Sequence, residues 1–203
     1  MSETGTQRSG RPPTPLTTAH LVELGKLADV QHERYTRSAV LGGTLEAWAD
    51  RRVGVVLAQS AALHYLHPDA GQQVNDLDVW TFYAAMPGRS LRSQRQESRS
   101  VDGTTGGPHY AAIPLAGRVR GWKEYDGKRV DFLVREIDVH PGAGASAVIA
   151  ALRSWLGHGA RQPCRHEEHK NSSAHWLAHT AMVWIGTPAN RDEAGRTVWD
   201  GTT

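Results

Sequence analysis

Leu21, Leu24, Leu27 and Val30 recur at helical spacing behind Thr17-Thr18, whose hydroxyls suit a helix N-cap, and the pattern predicts a first helix over Leu16–Leu27. A second helical pattern runs from about Gln31 to Asp50, interrupted at Gly42-Gly43. Val53–Leu57 is a short apolar run of strand type, and Ala58-Gln59-Ser60 turns it into a short helix, Ala61–Leu66. After a loop at His67–Gly71, the run Leu77–Tyr83 reads as a strand that Met86-Pro87-Gly88 ends. Arg89, Arg92, Arg95 and Arg99 follow at three- and four-residue spacing, with Gly103, Gly106 and Gly107 behind them, the pattern of a basic helix and a glycine-rich loop within 89–108. Tyr125-Asp126-Gly127-Lys128 carries a hairpin-turn signal leading into a strand over Arg129–Glu136. Ala145–Leu156 is an amphipathic helix by its Val148, Ile149, Leu152, Trp155 and Leu156 positions. Ala174–Ile185 reads as a helix, or as a helix passing into a strand at Met182–Ile185, and Thr197-Val198-Trp199 as an edge strand.

At 203 residues the chain can bury one sizeable core, so a single domain is expected over 16–203, with a core at 53–137 and a helical C-terminal part at 145–203. Residues 1–15, rich in Ser, Thr, Gly and Pro, read as a disordered leader. The 23 basic residues nearly balance the 21 acidic ones, which is not the footprint of a strongly basic nucleic-acid binder. The single cysteine, Cys164, cannot form an internal disulfide, and no stretch approaches the ~18 apolar residues of a membrane span; both features predict a cytoplasmic protein. Of seven Trp, Trp48, Trp80, Trp155, Trp176 and Trp184 lie in apolar runs and are expected in the core, whereas Trp122 and Trp199 stand in polar surroundings where a ring can stack on a base.

Three carboxylates change the picture. In a strand, residues i and i+2 share a face, so Asp76 and Asp78 point one way while Leu77 and Val79 point into the core. Side-by-side carboxylates repel, which raises a pKa or demands a cation. Asp131, on the later strand, would complete an oxygen-rich site suited to a hard ion such as magnesium. The Arg89–Arg99 segment reads either as a solvated face or as a grip on triphosphate or an RNA backbone. Cys164, His166 and His169, with His158, His175 and His179 nearby, lack the paired knuckles of a structural zinc site, and His64 and His140 are expected at the surface.

An apolar strand, a Ser-bearing turn opening a helix, Asp-x-Asp and a later Asp on a strand resemble the nucleotidyltransferase superfamily around DNA polymerase beta, including its minimal and toxin-type members. The matching positions are Ala58-Gln59-Ser60, Asp76-Leu77-Asp78 and Asp131, within Val53–Ile137. The resemblance implies an α+β fold with a mixed sheet flanked by helices. It implies two magnesium ions held by Asp76 and Asp78, with Asp131 as a further ligand or as base. It also implies a nucleoside triphosphate substrate bound at Gln59 and Ser60, with Arg92 and Arg95 nearby. The acceptor is then a hydroxyl on RNA, protein or a small molecule, and an antitoxin protein is a further implied partner. Gln59 stands where the pattern has glycine, which favours the alternative of a non-catalytic nucleotide- or RNA-binding member acting as a regulator or interaction partner, whereas the intact aspartate trio favours the magnesium-dependent nucleotidyltransferase, which is the expectation adopted.

Overall fold

The computed structural model describes residues 15–37, 46–70, 74, 76–89, 91, 94–100, 129–157 and 181–201. Among these, a six-stranded sheet has helices on both faces, an α+β architecture. The elements in chain order are α1 (Thr18–Arg37), β1 (Arg52–Ala58), α2 (Gln59–Leu66), β2 (Asp76–Ala84), β3 (Gln94–Ser100), β4 (Arg129–Ile137), α3 (Ala145–Gly157), β5 (Met182–Trp184) and β6 (Thr197–Trp199). The sheet order is β3-β4-β2-β1-β5-β6. It is mixed, because β2 and β4 run parallel while the other neighbouring pairs are antiparallel.

One helix, α1, replaces the first of the two expected helices and the start of the second. No Gly or Pro lies between Leu27 and Gln31, so nothing stops the first helical pattern from running on. Its start is a capping arrangement: the Thr17 backbone N–H donates to His20 Nδ1 at 2.9 Å, so this buried imidazole fills the role usually taken by a glutamate. Glu46–Arg51 is a 3-10 turn, not the end of a long helix.

Leu21, Leu24 and Ala28 of α1 and Ala61 and Ala62 of α2 cover one sheet face, against Val55, Leu57, Leu77, Val79, Val130 and Phe132. On the opposite face α3 lays Val148, Ile149 and Leu152 against Val56, Trp80, Phe82, Ile137 and Trp184. Because both faces are covered, β1 and β2 are buried almost throughout, which is why they read as continuous apolar runs. Gly54 is fitted to this layer, since a Cβ there would lie 2.6 Å from the Trp184 ring. Trp48, Trp80 and Trp184 are core residues as expected, Trp155 and Trp199 are half-buried, and Trp122 and Trp176 lie outside the described residues.

Two expectations are corrected. The segment expected as a basic helix contains strand β3, paired antiparallel with β4. Gln94–Ser100 has no apolar stripe for a helix to bury, whereas an edge strand satisfies its backbone on the β4 ladder and leaves polar side chains tolerable. The description of 145–203 as helical holds for α3 only: beyond it the chain supplies β5, where the sequence offered a strand at Met182–Ile185, and β6, the expected edge strand, to the same sheet. The expected leader (apart from Pro15), Gly42-Gly43, the glycine-rich loop, the 125–128 hairpin and the His-rich 158–179 segment lie outside the described residues.

α1 is tied to the sheet by polar contacts as well. His32 Nδ1 lies 2.9 Å from the Tyr83 hydroxyl. Burial, with the nearby Arg52 guanidinium second, lowers the His32 pKa to about 4, and burial pushes the Tyr83 phenol up. A native pKa below the unfolded value means that, as pH falls from about 6.5 towards about 4, the unfolded chain takes up a proton that the native state refuses. Native stability should therefore fall across that window by on the order of 1–2 kcal/mol, discounted for the ring's partial exposure. Urea denaturation at pH 7.5, 5.5 and 4.5 checks this against His32→Gln, which should lose less. Parallel stability curves for the two proteins would remove His32 as the cause.

Candidate functional site

Sequence parity places the three acidic side chains. On β2, Leu77 and Val79 are fully buried against the α1/α2 layer, so Asp76 and Asp78 share the α3 face with Trp80 and Phe82. On β4, Val130 and Phe132 belong to the α1/α2 layer, so Asp131 lies on the α3 face too. Asp78 and Asp131 are direct register partners on adjacent parallel strands, and Asp76 pairs with Arg129 two positions earlier. Strand spacing holds the Asp78 and Asp131 backbones about 5 Å apart. Asp131 is fully buried, Asp78 is 5% exposed and Asp76 is half-buried at the strand start.

The same register row crosses the whole sheet: Ser98, Asp131, Asp78, Ala58, Met182 and Trp199. β1 runs antiparallel to β2, so its last residue, Ala58, arrives beside Asp78, and α2 starts at the next residue. Gln59 and Ser60 thus directly follow the residue that stands beside Asp78. Ala58 has no side-chain oxygen, and the first turn of α2 has no side-chain cap. Gln59 N–H donates to the Ala181 carbonyl at 2.9 Å.

Gln59 adopts φ +60°, the left-handed region that glycine enters freely, and is alone in this among the described non-glycine residues. The sequence departs from glycine here, yet the backbone takes a glycine-like turn. Gln59→Gly should raise stability by about 0.5–1 kcal/mol, the left-handed strain relieved outweighing glycine's extra unfolded-state entropy. Gln59→Val, with a β-branched residue at positive φ, should lower it by more than about 1 kcal/mol. Chemical denaturation of the three proteins tests the order Gly, Gln, Val; any other order means the turn is not held in this conformation.

No family model, curated protein or solved structure matches this chain.

The site therefore rests on its own geometry. Asp76, Asp78 and Asp131 are brought to one face and each is engaged within the protein. Among the described residues no three His, Cys, Asp or Glu side chains converge at metal-ligating distances. Arg95 lies on β3 opposite Leu133, one same-face step from Asp131, while Arg92 is outside the described residues, as are Cys164, His166, His169, His175 and His179. His140 is exposed as expected, its Nδ1 accepting from Gly142 N–H at 3.1 Å. His64 is not a surface residue: it is 1% exposed, and neither ring nitrogen has a hydrogen-bond partner. It lies one helical turn from Ser60 on α2, and burial of a short helix against the sheet encloses it.

Sequence reasoning missed Arg135. It sits four residues after Asp131, which is the same strand face, with its Cζ 3.9 Å from the Trp80 ring centroid. The signal was available as a cation at even spacing from an aspartate, inside the apolar part of the strand. No helix among the described residues is long and apolar enough to cross a membrane.

Proposed function

We propose that this protein is a magnesium-dependent nucleotidyltransferase that moves a nucleoside monophosphate from a triphosphate to a hydroxyl on RNA, protein or a small molecule. The observation that carries this reading is the in-register Asp78–Asp131 pair, with Asp76 on the same face and the uncapped start of α2 arriving beside it. A buried pair of like charges is costly and requires compensation by cations. An all-carboxylate donor set is hard and suits magnesium by its chemistry; Asp76, Asp78 and Asp131, which share a sheet face without converging on one point in this structure, would hold the ion by turning their carboxylates towards it. When bound, magnesium would neutralise charge developing on the attacking and leaving oxygens of an in-line displacement.

The chain's own residues support the remaining requirements. Beyond Gln59, whose N–H is taken by the Ala181 carbonyl, the first turn of α2 has no side-chain cap, so its backbone N–H groups suit phosphate oxygens, and the glycine-like turn at Gln59 permits the close approach that the glutamine itself argued against. Asp131, buried beside Asp78, is the group available to accept a proton from the acceptor hydroxyl. A toxin-type role with an antitoxin partner belongs to the same proposal.

The test is transfer of label from each α-labelled nucleoside triphosphate, with magnesium, onto total RNA, small-molecule acceptors and the protein itself, comparing wild type with Asp76→Ala/Asp78→Ala. Label that moves only with wild type supports the transferase and identifies its base. Triphosphate or RNA binding by both proteins without transfer by either would replace it with a non-catalytic binding role.

A further inference from the structure

On β4 Asp131, Leu133, Arg135 and Ile137 share a face; their register partners on β2 are Asp78, Trp80, Phe82 and Ala84. The Arg135 backbone pairs with Phe82, yet its guanidinium carbon lies over the Trp80 ring, one same-face step nearer Asp78. The side chain therefore lies back along the sheet towards the carboxylates. Trp155 of α3, itself edge-on to Phe82 at 5.8 Å, closes the other side, with its ring centroid 5.9 Å from the guanidinium carbon. Arg135 is only 3% exposed.

This is an unusual setting for an arginine. Burial, the larger cause, lowers its pKa to about 10 and the Asp78 charge acts in the opposite direction, so it stays charged at neutral pH. Stacking on Trp80 engages the face of the guanidinium, but a ring face takes up none of the in-plane N–H donors. Nε and Nη1 have no hydrogen-bond partner. Buried donors left unfilled on a cation are costly, and such groups are found where a ligand fills them. A guanidinium held rigidly between aromatic rings loses little freedom on binding an oxyanion. A triphosphate approaching three carboxylates also needs a positive charge on the same sheet face.

We infer that Arg135 is the anion-binding residue of the carboxylate site, and that its buried, unfilled Nε–H and Nη1–H groups take an oxygen of a polyphosphate chain. The inference rests on the nucleotidyltransferase reading for the identity of the anion, and it assigns to Arg135 the role that sequence spacing suggested for Arg92 and Arg95. Trp80 and Trp155 act as positioning residues that hold the guanidinium flat and aimed at Asp78.

Calorimetric titration of inorganic tripolyphosphate and of ATP, each with magnesium, into wild type, Arg135→Met and Arg135→Lys tests it, with a melting curve for each protein. Wild type should bind both ligands. Arg135→Met should weaken both by about 10- to 30-fold, because a charge-assisted contact is lost. Arg135→Lys, which keeps the charge but not the planar donors, should weaken both by about 5- to 10-fold. Unchanged affinity in a folded Arg135→Met protein would overturn the inference and leave the proposed function standing. If that variant does not fold, unchanged affinity in Arg135→Lys decides the matter in the same way. Failure of wild type to bind either ligand would overturn both readings.

Discussion

Asp131→Asn is expected to abolish the proposed nucleotidyl transfer while leaving the protein at least as stable as wild type. The substitution keeps the shape of a fully buried side chain and removes one negative charge from the register partner of Asp78. Losing a group that acts on charge in the transition state costs about 10³-fold in rate, about 4 kcal/mol in the barrier. In the absence of divalent ions, relief of carboxylate repulsion should raise stability by on the order of 1 kcal/mol. Added magnesium should then raise the melting temperature of wild type more than that of the variant, since only an ion bound to the native state shifts the equilibrium. Transfer assays and melting curves with and without magnesium check both halves. A variant that loses more than about 2 kcal/mol of stability would mark Asp131 as part of a structural ion pair, not of a functional site.

Asp29→Ala is expected to produce the largest loss of stability, about 3 kcal/mol. Asp29 on α1 accepts from Arg191 Nη1 at 2.6 Å and Nη2 at 2.9 Å. It also stands 3.1 Å from Arg52 Nη1, an ion pair by distance whose alignment falls short of a hydrogen bond. Arg191 further donates to the Gly25 carbonyl at 3.3 Å, and α1 admits it because Gly25 has no Cβ. One carboxylate thus compensates two largely buried guanidiniums, whose side chains are 10% and 15% exposed. Removing it strands both cations. The double variant Asp29→Ala/Arg191→Met should recover part of the loss, because one stranded charge is replaced by an apolar side chain of similar length. Urea denaturation of the three proteins provides the measurement. A cost below about 1 kcal/mol for Asp29→Ala would show that these ions are solvent-compensated and that the apolar contacts of Leu21, Leu24, Leu27 and Ala28, with the His32–Tyr83 contact, hold α1 without them.

The strands bearing the acidic residues were legible because period-two alternation is a local property. Leu77 and Val79 had to face the core, so Asp76 and Asp78 had to share the other face, and the same parity set Asp131 between Val130 and Phe132. Helix α3 was legible from its apolar spacing. The segment around Arg95 was misread because charges spaced at three and four residues describe an exposed stripe on a helix, yet the same residues serve equally well along a sheet edge. Only pairing with β4 decides between them, and pairing is not written in the spacing of charges.

By itself the sequence determined which faces of β1, β2 and β4 turn inward, the length of the apolar runs, and the presence of three aspartates on two strands. Those features follow from side-chain chemistry and backbone periodicity within a few residues. The tertiary structure alone decided that β2 and β4 lie side by side and parallel, so that Asp78 meets Asp131, and that Ala58 of β1 arrives in the same row with α2 behind it. It alone turned Gln59 to positive φ and laid Arg135 over Trp80 beneath α3. Strand order and register depend on contacts between residues distant in the chain, whose free energies are set by burial and packing of the assembled layers; no local pattern carries that information.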